Sequence, residues 1–196
     1  LEFATIWSAY GAEVTVVEML DQILPAEDAE ASKELSRYLR RQKIKAMVST
    51  RVEGVDISTE KDKAGVRVHV SGPKGEETME GEIALMAIGV LPNAESLGLE
   101  AVGVETNNGW VKVDKATMQT NVSTVYAIGD LNGMLTLAHA ASAQGILAVE
   151  HIAGYSPSPF DVNAVPRCTY TMPQVASFGL SEDVAKEQGL DVRIGK

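Results

Sequence analysis

The chain has 196 residues, 45% of them hydrophobic and 22% charged, which is the composition of a folded globular protein rather than a disordered one. Its 27 acidic residues against 17 basic ones give a net charge of −10, a field that repels phosphate polymers and argues against a nucleic-acid binder. The single cysteine, Cys168, excludes an internal disulfide framework and a cysteine-only metal cage, and fits a reducing compartment.

The N-terminal stretch lacks the basic, apolar, small-residue order of a signal peptide. The chain opens at Leu1, already inside an apolar segment, and is expected to be a piece of a longer protein. Residues 1–13 read as the rear of a helix, with Phe3, Ile6, Trp7 and Tyr10 at helical spacing and a stop at Gly11. Val14 to Val17 is a β-branched run suited to a buried parallel strand that ends at Glu18. Residues 27–43 read as an amphipathic helix with Ala31, Leu35, Tyr38 and Leu39 on one stripe. Ile44 to Val48 is a further short strand.

Three strands follow, Val52 to Ile57, Val66 to Val70 and Glu76 to Met79, parted by turn material at 58–65 and 71–75. In the middle strand Val66, Val68 and Val70 alternate with Arg67 and His69, so one face is buried and the other wet. Ile83 to Ile88 is apolar throughout and reads as a central strand ending at Gly89. Val111 to Val113 is a short strand, and Val122 to Ile128 is another, ending at Gly129-Asp130. Residues 134–153 read as an Ala-rich helix ending at Gly154. This region contains the longest run without Asp, Glu, Lys or Arg, Leu131 to Val149, yet Asn132, His139, Ser142 and Gln144 within it favour a buried helix over a membrane span. A proline-marked boundary at 155–159 precedes a new unit: strand 176–180, helix 181–188 and strand 191–194. The fold class is therefore α/β: a three-layer, Rossmann-like dinucleotide-binding domain with a β-meander in place of one crossover helix, plus the start of an α+β interface domain.

Few residues carry a chemical signal on their own. Glu18 closes a strand that follows a helix, where a carboxylate accepts hydrogen bonds from ribose hydroxyls and repels a ribose phosphate; a solvated strand-end carboxylate is an equal reading. Two strands end alike, Ala87-Ile88-Gly89 and Ala127-Ile128-Gly129, and glycine at a strand's carboxyl end permits close approach of a ligand or simply makes a turn. Asp130 could accept from a hydroxyl or cap a turn. The helix beginning near 135–138 would aim a partial positive charge at whatever Asp130 binds, and its small face (Ala138, Ala141, Gly145, Ala148) allows close packing. The three histidines lack metal-ligand spacing. Arg37, Arg40, Arg41, Lys43 and Lys45 read as a solvated helix end. Cys168 reads as a small buried apolar residue.

Taken together, Leu1-Glu2-Phe3-Ala4, 11–18 (GAEVTVVE), 87–93 (AIGVLPN), 125–130 (VYAIGD), Leu137-Ala138-His139 and 170–173 (YTMP) occur in an order that resembles the flavin-dependent pyridine nucleotide–disulfide oxidoreductases over essentially the whole chain. The resemblance implies an NAD domain over 1–115 whose first strand and glycine fingerprint lie outside this sequence, a returning segment of the FAD domain over 116–155, and the start of a dimerisation domain over 160–196. It implies NAD-side contacts at Glu2, Glu18 and Gly89, FAD-side contacts at Asp130, Thr136, Leu137 and Ala138, and no metal. It also implies a reaction that passes electrons from the dihydrolipoyl groups of a multienzyme complex through a cysteine pair and FAD to NAD. The cysteine pair and the His/Glu pair of that reaction are expected outside these residues, leaving this chain alone inactive. The implied protein is a homodimer of the cytoplasm or mitochondrial matrix. Departures are Val90 for a frequent Arg, Gln174 for a usual Glu and Thr136 for a frequent Met. Another disulfide reductase or an NADH oxidase of the family, or a non-catalytic nucleotide-binding module, are the alternatives.

Overall fold

In the computed structural model, which describes residues 1–59 and 65–195, helix α1 covers Glu2–Ala9. Only Ala4 of α1 is buried; Phe3, Ile6, Trp7 and Tyr10 are exposed, and Phe3 and Trp7 stack on each other with centroids 5.5 Å apart. Strand β1 (Thr15–Val17) pairs in parallel with β2 (Lys45–Met47), Val16 opposite Ala46, and helix α2 (Ala29–Arg41) makes the crossover. The expected buried strand 14–17 is only partly buried, because β2 is its one ladder partner among the described residues.

Helix α2 turns inward two residues of the expected stripe, Leu35 and Leu39, but departs from it at Tyr38 and Ser32. Ser32, Leu35 and Leu39 are buried, while Tyr38 is exposed with the Arg41 guanidinium 5.2 Å above its ring. Ser32 is tolerated inside because its hydroxyl accepts the Leu24 N–H at 3.2 Å. Leu35 and Leu39 join Ala4, Ile23, Leu24 and Ile44 in one core, each buried leucine contributing about 1.5–3 kcal/mol.

The meander forms as its alternation predicts: β3 (Arg51–Ser58), β4 (Gly65–Gly72) and β5 (Gly75–Gly81) are antiparallel neighbours in that order. Val70 is buried, and Arg67 on the wet face meets Glu80 at 3.1 Å. Pro73-Lys74 makes the tight β4–β5 turn, with Gly75 at φ +100. The turn expected at 58–65 lies, over 60–64, outside the described residues. Towards the C-terminal end β8 (Arg167–Thr169) pairs with β9 (Val175–Ser177), and Ser181 caps helix α4 (Glu182–Glu187) by accepting the Val184 N–H. The expected strand 191–194 forms no ladder.

The chain divides into two units, Leu1–Met86 with Pro166–Lys196, and Ala87–Val165. The expected central strand 83–88, which crosses the division, does not form; Ile83, Leu85, Met86 and Ile88 are exposed. An apolar run becomes a central strand only where neighbours supply ladder bonds, and none of the described strands pairs with it.

The second unit holds a two-strand ribbon, β6 (Thr106–Asn107) with β7 (Trp110–Val111), and helix α3 (Ala138–Ile152). The expected strand 111–113 is shifted to Trp110–Val111. The expected strand 122–128 is reduced to one bridge, Gln119 with Tyr126, because the Val125 N–H turns back to the Val122 carbonyl. Helix α3 begins four residues later than its composition suggests and stops where Gly154 takes φ +85. It buries one face (Ala140, Gln144, Leu147, Ala148) and leaves Ile146, Val149 and Ile152 exposed. Among the described residues no helix is long and apolar enough to cross a membrane.

Candidate functional site

In the second unit, Ile128 is extended and Gly129 turns the chain at φ +68 into a short 3-10 segment, Gly129–Asn132. A Cβ at Gly129 would lie 3.1 Å from the Ala141 Cβ, so glycine brings this turn hard against α3. Gly145 serves the same approach from the helix side, where a Cβ would meet Ile128 at 3.3 Å. The turn is pinned by side-chain amides. The Gly129 N–H donates to Gln144 Oε1 at 2.7 Å, Asn132 Nδ2 donates to the same oxygen at 2.8 Å and to the Ala127 carbonyl at 3.2 Å, and Asn132 Oδ1 accepts the Met134 N–H at 3.0 Å.

Asp130 stands at the outer edge of this turn. Its backbone carbonyl accepts the Gly133 N–H at 3.1 Å, while its exposed carboxylate accepts no hydrogen bond among the described residues. The carboxylate takes no part in closing the turn. Thr136 and Ala138 are exposed just beyond, and Leu137 is the α3 N-cap residue. Leucine offers no capping oxygen, so the helix opens with N–H groups lacking intrahelical acceptors. Of the three expected backbone donors, the Leu137 N–H is engaged by the Leu135 carbonyl at 3.0 Å, whereas those of Thr136 and Ala138 meet no described acceptor. A free carboxylate followed by free N–H groups suits a ligand that carries hydroxyls and ring acceptor atoms, as a flavin with its ribityl chain does. Gly89, also in this unit, has φ +139 and nothing within 4 Å of where a Cβ would stand.

In the first unit, Glu18 follows the last residue of β1. Its N–H donates to the Met47 carbonyl at 2.8 Å and its carbonyl accepts the Thr50 N–H at 3.0 Å, so the backbone is locked beside β2. One carboxylate oxygen is oriented by the Leu20 N–H at 2.8 Å. A carboxylate so held is the acceptor a ribose diol needs. Glu2 opens α1, and its Oε1 accepts the Tyr170 N–H at 2.7 Å, a contact within the same unit that nothing in the sequence announces. The basic cluster near the end of α2 is a surface feature: Arg37 pairs with Glu34, and Arg41 covers Tyr38. Cys168 is exposed on β8, correcting the expectation of burial, because strand alternation turns Arg167 inward in its place. Among the described residues no three of His, Cys, Asp and Glu gather as a metal site. Sequence reasoning gave no role to Asn132 and Gln144; their one signal is that they are amides inside the longest uncharged run.

Known proteins resemble the chain throughout its length. The family described as pyridine nucleotide–disulphide oxidoreductase matches residues 1–145, and its dimerisation domain matches residues 165–196. The chain belongs to that family. The dihydrolipoyl dehydrogenase of Bacillus subtilis is 41% identical over 196 residues, which is all of this chain and 41% of the relative. The mitochondrial dihydrolipoyl dehydrogenase 2 of Arabidopsis thaliana is 41% identical over 198 residues, 38% of its own length. The chain thus spans about 40% of the length of such relatives. Among solved structures, LpdA of Mycobacterium tuberculosis is similar with a TM-score of 0.82 at 34% identity, covering 95% of this chain and 39% of that one. The HOCl-induced flavoprotein disulfide reductase RclA of Escherichia coli has a TM-score of 0.81 at 26% identity, covering 96% and 42%. The family fold is the expected Rossmann-like α/β class.

Proposed function

We propose that the chain is part of an FAD-dependent, NAD-linked dihydrolipoyl dehydrogenase. The observation that carries this reading is the free Asp130 carboxylate set directly before the uncapped start of α3. The 41% identity to dihydrolipoyl dehydrogenases over the whole chain supports that substrate. In this reading Asp130 accepts hydrogen bonds from the ribityl hydroxyls, and Thr136, Leu137 and Ala138 present backbone N–H groups to the pyrimidine edge of the flavin. Glu18 accepts from the adenosine ribose of NAD, Gly89 leaves room beside the dinucleotide, and Glu2 lies towards the nicotinamide. Residues 1–115 are NAD-domain sequence, 116–155 FAD-domain sequence and 160–196 the start of a dimerisation domain.

Bound FAD would supply a two-electron relay between a disulfide and NAD. The net change is oxidation of a dihydrolipoyl dithiol to its disulfide, with NAD reduced to NADH and one proton released. The sulfur pair for that exchange is not in this chain, which has one cysteine. The partners are a lipoyl-bearing protein and a second copy of the same protein, and the compartment is the cytoplasm, or the mitochondrial matrix of a eukaryote.

The test is the intact protein containing this chain, assayed for bound flavin and for dihydrolipoamide-dependent reduction of NAD. Asp130→Ala should release FAD while leaving the far-ultraviolet circular dichroism in place. Flavin retained as in the unsubstituted protein, or no dihydrolipoamide-dependent NADH, would refute the assignment.

A further inference from the structure

We propose that Gln144 is a positioning residue for the flavin site, one that sets the Asp130 carboxylate against the start of α3 without touching the ligand; this rests on the FAD reading above. Gln144 is completely buried, an unusual place for an amide, and the hydrogen bonds fix which way it points. The Gly129 N–H can only donate, so the atom 2.7 Å from it is the Gln144 oxygen. Asn132 is fixed in the same way: its Oδ1 takes the Met134 N–H, which leaves Nδ2 for the Ala127 carbonyl and for Gln144. Gln144 Nε2 then points away from the turn, buried and with no hydrogen-bond partner among the described residues.

An unpaired buried donor lowers stability, and a side chain needed only for packing would avoid that cost by being apolar. What the position supplies is one oxygen that accepts two hydrogen bonds, from the residue just before Asp130 and from the residue two after it. Both flanks of Asp130 are thereby tied to a single atom of α3. The same helix, six positions earlier, presents Ala138 and the N-terminal N–H groups. Gln144 therefore fixes the distance between the acceptor half and the donor half of the site. The close approaches at Gly129 and Gly145 bring the turn near enough for that oxygen to reach both donors.

The experiment compares Gln144→Leu, which keeps the bulk and removes the acceptor, with Gln144→Glu, which keeps an acceptor oxygen, in the intact protein. Loss of either hydrogen bond should weaken FAD binding by about tenfold, since one such bond contributes on the order of one decade in affinity. FAD release is followed by recovery of flavin fluorescence, the environment of the bound ring by its visible absorption band, and overall integrity by urea midpoint and NADH affinity. Gln144→Leu should lose FAD affinity and shift the band at unchanged NADH affinity, and Gln144→Glu should restore both. Should Gln144→Leu fail to fold, Asn132→Ala, which removes one of the two bonds, carries the same expectation. FAD affinity and absorption equal to the unsubstituted protein in these acceptor-loss variants overturn the proposal. So does a loss of FAD that only tracks the urea midpoint and is not rescued by glutamate, which is the result of a merely structural role. An unsubstituted protein that takes up no FAD overturns the underlying reading instead, so the two failures are told apart.

Discussion

Arg167 Nε lies 3.4 Å from Glu27 Oε1, joining positions 140 residues apart, with only 24% and 10% of the two side chains exposed. The guanidinium also donates to the Gly179 carbonyl at 3.5 Å. The pair links the C-terminal part of this unit to the loop before α2, and further ties join the same parts: Glu2 to the Tyr170 N–H, Gln42 Nε2 to the Met172 carbonyl and the Glu182 N–H to Asp28 Oδ1. Removing one member of a shielded pair leaves the other charge uncompensated. Glu27→Ala should therefore destabilise the protein by about 1–3 kcal/mol, less than a fully buried pair would cost. Glu34→Ala, which breaks the exposed pair with Arg37, should cost no more than about 0.5 kcal/mol. Urea denaturation of both variants decides it, and equal losses would refute the ranking.

On the proposed reading, Glu18 would set a cofactor preference. A 2′-phosphate on the adenosine ribose would meet a carboxylate already aimed by the Leu20 N–H. Two like charges about 4 Å apart at an effective dielectric of about 20 repel by roughly 4 kcal/mol before water and counter-ions reduce it. NADH should bind more tightly than NADPH, and Glu18→Gln should narrow the gap mainly by improving NADPH. Fluorescence titration with both cofactors is the check; NADPH binding as tight as NADH would end the argument.

His69 on β4 joins both neighbouring strands, with Nε2 3.0 Å from Asp56 Oδ2 on β3 and Nδ1 3.0 Å from Thr78 Oγ1 on β5. The hydrogen bond from His69, and then its charge, hold the Asp56 carboxyl below its ordinary value of 3.8, with a smaller push from Arg67. A carboxyl whose folded pKa is depressed stabilises the fold above its unfolded pKa and ceases to do so as pH falls through the folded one. The excess stability of the wild type over Asp56→Asn should thus be full at pH 5 to 6, about one to two units above the ordinary aspartate pKa, and shrink as pH drops through and below that value. Urea midpoints for the pair across that range test it, and a gap that widened on acidification would have the wrong sign.

How much of this was legible in the sequence depended on where each pattern gets its partners. The meander was readable because Val66, Val68 and Val70 alternate with polar residues and its strands pair with their chain neighbours. Helix α2 was readable in extent but not in phase: Tyr38 has the apolarity to face inward, yet Ser32 does so instead, a swap decided by a hydrogen bond to Leu24. The runs 83–88, 122–128 and 191–194 have strand composition, but ladder bonds need a second chain segment, which composition does not reveal. At the candidate site, Asp130 and the start of α3 could be found from the Gly-Asp pair and the Ala-rich helix after it. The Gln144 and Asn132 network could not, because a buried amide looks in sequence like any surface glutamine or asparagine.

Cys168 should be spectator chemistry. Its side chain is exposed, while Arg167, on the opposite face of β8, commits its guanidinium to Glu27 and the Gly179 carbonyl. Oxidation of a dithiol by exchange begins with its attack on a protein disulfide, which takes two cysteines, and this chain has one. Exposure without a second cysteine to form a disulfide predicts a thiol that a reagent labels readily and turnover does not need. Cys168→Ser in the intact protein should leave dihydrolipoamide turnover within about twofold, a change too small to reflect loss of the sulfur that carries the exchange. Residues 1–196 alone, supplied with FAD, NAD and dihydrolipoamide, should form no NADH, since no disulfide can close within them. A folded Cys168→Ser protein that lost turnover would make this thiol part of the chemistry, and NADH formation by residues 1–196 would require an electron path that does not pass through a cysteine pair.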